Sequence, residues 1–154
     1  MRMLILVALM LVHIMGKDVA LEKIKPDFLK AIFESNEDLS KQVVQRLEDL
    51  LEKKYSSERA SFLGAITSKM GSYAYFPWSK LSYVEDGSKL LNKAVKNSPN
   101  NFIVRLNRFQ TFTSLPEFLQ KSHILQEDAR WVLQHLKTSN NTEKQKQLAY
   151  QALA

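Results

Sequence analysis

Ala60-Ser-Phe-Leu-Gly-Ala-Ile66 and Gly87-Ser-Lys-Leu-Leu-Asn-Lys-Ala-Val-Lys-Asn-Ser-Pro-Asn-Asn101 decide the fold of this chain. In the first segment Ala60, Leu63, Gly64, Ile66, Thr67 and Met70 recur at helical spacing, as do Val84, Gly87, Leu91, Ala94 and Val95 around the second. A glycine inside a helix costs about 1 kcal/mol relative to alanine, so Gly64 and Gly87 predict a second helix backbone passing close by. Ser56 or Ser57 starts the first helix and Gly71-Ser72 ends it. The second starts at Ser79 or Lys80, runs to Asn97 and is stopped by Pro99. These two helices form one hairpin, and a third begins after Asn100-Asn101.

The same periodicity extends outward. Pro26 suits the first turn of a helix carrying Phe28, Leu29, Ile32 and Phe33. Ser35 or Asn36 caps a longer helix from Glu37 to Tyr55, with Leu39, Val43, Leu47, Leu50 and Leu51 on one face. Phe102 to Thr113 turns Phe102, Leu106 and Phe109 inward. Ser114 to Leu119 is read as a turn that folds Phe118 and Leu119 onto the core. Ser122 to Lys137 buries Leu125, Ala129, Val132, Leu133 and Leu136, and Thr142-Glu-Lys-Gln fits a capping box that opens a last short helix. The expected class is all-α.

Composition agrees. The 154 residues are 45% hydrophobic and 25% charged, with four glycines and four prolines, which suits one helical domain rather than a disordered chain. No cysteine is present, which excludes thiolate metal sites and cysteine catalysis. The formal charge is +6, but lysines and acids alternate, as in Glu52-Lys-Lys, so the reading is a solvated helical surface and not a nucleic-acid stripe.

Met3 to Met15 is apolar except for His13 and follows Arg2. As a helix it would span roughly 20 Å, short of the roughly 30 Å hydrocarbon core. Residues 1–16 therefore read as a secretory signal peptide, with cleavage after Gly16 and a single domain over 17–154. Other readings of the stretch are an uncleaved anchor or a core helix. Export to the periplasm or envelope is expected, with membrane contact only through an uncleaved N-terminus.

Two groups stand out as candidate sites. Tyr73, Tyr75, Phe76 and Trp78, with Lys80 close behind, are either a lid over one end of the hairpin core or a recognition patch. Arg105 and Arg108 share a helix face; they either pair with Glu127 or Asp128 or form a clamp for an anion or a C-terminal carboxylate. Catalytic signatures are missing: there is no H-E-x-x-H, no G-x-S-x-G and no phosphate loop, and His123 and His135 are too far apart in rotation to form a pair. Neither a metal, a cofactor nor an enzymatic activity is expected.

Gly87, Leu91, Ala94 and Pro99 follow the second-helix spacing of a tetratricopeptide repeat, and Leu63-Gly64 and Thr67 sit at the matching first-helix offsets. Ala60 departs from the pattern, and the connection between the helices is about eleven residues longer than in the repeat. Phe109, Ala129, Leu133 and Leu136 make a weaker second copy, and Pro26 to Tyr55 a degenerate one. More narrowly, Leu63 to Leu136 resembles small exported bacterial proteins related to tetratricopeptide repeats, through Pro77, Lys80-Leu81, Gly87, Ala94-Val95, Pro99-Asn-Asn, Arg105, Arg108, Pro116-Glu-Phe-Leu and Glu127-Asp128. That resemblance implies antiparallel hairpins stacked as a short right-handed array and an extracytoplasmic compartment, and it brings no activity. The expected function is a protein- or peptide-binding scaffold. The alternative is a carrier of a small apolar ligand or lipid, using a cavity near Tyr73, Phe76 and Phe112.

Overall fold

A computed structural model describes residues 18–136 and 146–147. The proposed signal peptide lies outside the described residues, as does nearly all of the segment expected to form a last helix. The described residues are all-helical, without a strand. They comprise α1 (Val19–Glu22), α2 (Lys25–Glu34), α3 (Glu37–Lys53), α4 (Ser57–Met70), α5 (Pro77–Asn97), α6 (Phe102–Thr113), a 3-10 turn (Glu117–Leu119) and α7 (Ser122–His135).

Local chemistry sets most of these boundaries. Asn36, Ser56 and Asn101 each adopt an extended backbone, and their side-chain oxygens accept from the amides of Leu39, Arg59 and Val104. Each cap thus satisfies one of the donors that a helix start leaves open. Ser35 ends α2 in the left-handed region, with φ 51° and ψ 46°, which reverses the chain within two residues. The start of α5 differs from the sequence reading. It begins at Pro77, not at Ser79 or Lys80, because a proline in the first turn loses no hydrogen bond and its fixed φ already fits a helix.

α4 is the axis of the packing. Ala60 to Ile66 are buried without a break, together with Ser68 and Met70, so this helix has no solvent face. It touches α2, α3, α5 and α6. Phe28 of α2 meets Phe62 of α4 edge to face with ring centroids 4.8 Å apart. On the opposite flank the Asn107 amide of α6 donates to Ser61 Oγ of α4 at 2.9 Å, and both side chains are buried. Consecutive long helices run antiparallel. At one end Arg59 Nη1 reaches the carbonyls of Leu50 and Lys54 at 2.7 and 3.0 Å, and at the other Lys69 Nζ reaches Ser35 Oγ at 3.1 Å. The same sense holds for α4 and α5, where Ser98 Oγ lies 2.8 Å from Ser57 Oγ and Gly64 faces Gly87.

Several positions expected on buried faces are not fully buried: Val84, Leu125 and Ala129 are half-buried, and Phe33, Phe118 and Leu133 are exposed. Phe118 is 82% exposed, because the segment after α6 closes into a 3-10 turn that leaves this ring outward. Leu133 is 53% exposed, since α7 is covered on one side only and Val132 and Leu136 take that side.

Candidate functional site

α2, α4 and α6 lie side by side, and a trough of about 1170 Å³ runs over them. Phe28, Leu29, Ile32 and Phe33 form one wall. Phe62, Ala65 and Ser68 form the floor, and Ile103, Leu106, Asn107 and Thr111 form the far wall. Pro77, Lys80, Leu81 and Val84 from the start of α5, together with Leu115, Pro116, Phe118 and Leu119, border it as well. The lining is mostly apolar. Phe33 is 65% exposed and Leu81 48%, so large side chains meet water along the rim. Glu22 and Lys25 border the trough where α2 begins, and Lys69 where α2 ends. Lys25 is held by Glu22 and, at 3.0 Å, by Glu58. Burial alone would lower the pKa of Lys25, but these two carboxylates outweigh it and raise the value.

The residues singled out from sequence fall in four places. Tyr73 is folded in: its hydroxyl lies 3.4 Å from Ser40 Oγ, and Lys69 Nζ sits 5.8 Å from its ring centre. Tyr75, Phe76 and Trp78 point outward, so they are not a lid over the core. Phe76 and Trp78 stack with centroids 4.6 Å apart, and Tyr75 meets Phe76 edge-on at 5.1 Å. None of these four aromatics lines the trough, and neither does Phe112, which is buried. The trough thus passes Ser72, Pro77 and Thr111, the sequence neighbours of Tyr73, Phe76 and Phe112, without being lined by those three rings. Lys80 is exposed and borders the trough.

Arg105 and Arg108 are buried between α6 and α7 and offer no clamp for a partner. Asp128, with no exposed surface, accepts from Arg105 Nη1 at 2.8 Å and from Arg108 Nε and Nη2 at 2.7 and 2.8 Å. Arg105 Nη1 also reaches Glu127 at 2.6 Å, its Nε donates to the Pro99 carbonyl at 2.8 Å, and Arg108 Nη1 reaches Asn92 at 3.2 Å. Two cations thus meet two carboxylates. The Arg105 hydrogen bond holds the Glu127 carboxyl below its ordinary pKa. Burial opposes the charge of Arg105, but Glu127 and Asp128 prevail and raise its pKa. This cluster ties α7 to α6.

No group of His, Asp and Glu side chains among the described residues is placed to hold a metal. No helix among them is long and apolar enough to cross a membrane. Comparison with protein families, with curated proteins and with solved structures found no match to this chain.

Sequence reasoning did not place the lining of the trough, because no single helix carries it. Phe33, Leu81 and Phe118 look like ordinary core residues in one dimension. A usable signal existed in the apolar faces of α2 and α5, each wider than one neighbouring helix can cover.

Proposed function

We propose that this chain is a non-catalytic binding module of the cell envelope that receives an apolar-faced helical segment of another protein in the trough over α2, α4 and α6. One observation carries the reading. A long apolar concavity is lined by the first helix of each successive pair, and it exposes large side chains. That arrangement also supports a tetratricopeptide-like right-handed stack, in which first helices line the concave face. An amphipathic helix satisfies its own backbone and presents side chains at i, i+3, i+4 and i+7, which suits such a trough. Lys69 lies where α2 ends and Lys80 in the first turns of α5, so both would favour the negative C-terminal end of a docked helix.

A second reading is favoured by the volume itself. About 1170 Å³ exceeds the several hundred Å³ of an ordinary small-molecule site and would take an acyl chain. A photoreactive phenylalanine at position 33 or 118, introduced into the full chain in its native host, separates the two. Crosslinking to one discrete protein, lost when Leu81→Asp is added, supports the helix reading. Crosslinking to lipid supports the carrier. A yield no higher than from position 133, outside the trough, would defeat both.

A further inference from the structure

We infer that Tyr75, Phe76 and Trp78 form a membrane-interface anchor that seats the α4–α5 end of the molecule on an anionic lipid surface. None of the three rings lines the trough, so the wedge itself is not part of that lining, although Lys69 and Lys80 border both.

The first argument is exposure. Tyr75 is 88% exposed, Trp78 66% and Phe76 48%, and they follow one another across the α4–α5 connection and the first turn of α5. The second is how the rings are held. Phe76 stacks on Trp78 and receives the edge of Tyr75, so the three form one wedge whose geometry is kept by mutual contact. Anchors that pack into a partner protein fill pockets with individual rings. A projecting wedge of Tyr, Phe and Trp has the composition enriched at the boundary between headgroups and hydrocarbon, where the apolar ring bodies are buried and the indole N–H and phenol O–H stay wet.

Charge supplies the third argument. From Arg59 to Val84 the chain contains no Asp or Glu, while Lys69 and Lys80 flank the rings. At the neighbouring α2–α3 turn Glu34 and Glu37 are each paired with a lysine, Lys30 and Lys41, which leaves Asp38 as the exposed carboxylate there. Two lysines beside an apolar wedge match a surface of anionic headgroups, toward which long cationic side chains extend while their stems cover apolar surface. The sequence alone placed membrane contact only in the N-terminal stretch; the wedge adds a second contact point at the folded domain.

The test uses the full chain with Trp131→Phe, which leaves Trp78 as the only tryptophan. Vesicles of phosphatidylcholine are compared with vesicles containing about one third phosphatidylglycerol. The expected result is a blue shift of Trp78 emission with the anionic vesicles and quenching by lipids brominated near the headgroup. In cosedimentation, Tyr75→Ala/Phe76→Ala/Trp78→Ala should lower partitioning about tenfold, with an unchanged thermal melt since all three rings are exposed. Lys69→Gln/Lys80→Gln should remove the preference for the anionic vesicles. Unshifted Trp78 emission would overturn the inference, and so would a triple variant that sediments as well as the wild type. The latter outcome would assign vesicle binding to another part of the chain and the aromatic face to a protein partner.

Discussion

Gly64 and Gly87 face each other where α4 and α5 pack most closely, with Ser68 Oγ beside them. A Cβ on Gly87 would stand 2.5 Å from the Gly64 carbonyl oxygen, and a Cβ on Gly64 would stand 2.8 Å from that of Gly87. Gly87→Ala should therefore destabilise the protein even though alanine is the better helix former. The expected loss is about 1–3 kcal/mol in urea unfolding, because the obstructing atoms include the Gly64 carbonyl and the Ser68 amide as well as Ser68 Oγ, and the helices must move apart. Ser82→Ala, on the exposed side of the same helix, should cost nothing. Equal effects of the two substitutions would show that α4 and α5 are not in backbone contact.

Asp128 is the sole carboxylate without solvent access in the Arg105–Arg108 cluster. Asp128→Ala leaves two buried guanidinium groups facing each other. The expected loss is about 3–5 kcal/mol, the usual result of breaking a buried ion pair from one side. Replacing Asp128, Arg105 and Arg108 together by Leu, Met and Met should recover most of it. Glu127→Gln, at a side chain 58% exposed, should change stability by less than about 1 kcal/mol. Denaturant midpoints of the three variants check the order.

Arg59 joins Asp18, at the start of the described chain, to the end of α3. Its hydrogen bond is the main cause that holds the Asp18 carboxyl below its ordinary pKa; partial burial pulls the other way. A carboxyl depressed in the folded state contributes stability above its unfolded value, about 3.9, and loses it as pH falls through the folded value. Asp18→Asn should thus be less stable than the wild type at neutral pH. The gap between the two should be constant down to about pH 4 and close below it. Thermal melts between pH 2 and 7, run at low salt, would reveal it.

Ser35 holds a left-handed backbone at the α2–α3 turn, the one non-glycine residue with positive φ among those described. Such a conformation costs a residue with a Cβ about 1–2 kcal/mol. Ser35→Gly should raise stability by about 0.5–1 kcal/mol, net of the extra freedom glycine gains when unfolded. Ser35→Val should lower it, since a β-branched side chain tolerates that region worst. If the glycine variant melted below the wild type, the bond from Lys69 to Ser35 Oγ would have to outweigh the relief.

Helix starts were readable in the sequence where a side chain makes the boundary, as at Asn36, Ser56 and Asn101. Small residues were readable too, since a glycine within a helix has few physical explanations. The partners of Arg105 and Arg108 could be named because one face of α7 carries Glu127 and Asp128. What was not readable depends on which neighbour is absent. Leu133 and Phe118 have core chemistry but no helix over them. The trough arises for the same reason, from the spacing of three helices that are far apart in the chain.

The close contact between Gly64 and Gly87 also governs the caliper of the trough. α4 supplies its floor and the start of α5 part of its border, and the separation of those two rods is fixed where neither glycine has a side chain. A single methyl group inserted there would pry the border outward without touching any occupant. Occupant selectivity could then drift through residues that never meet the bound molecule, and a search confined to the lining would overlook them.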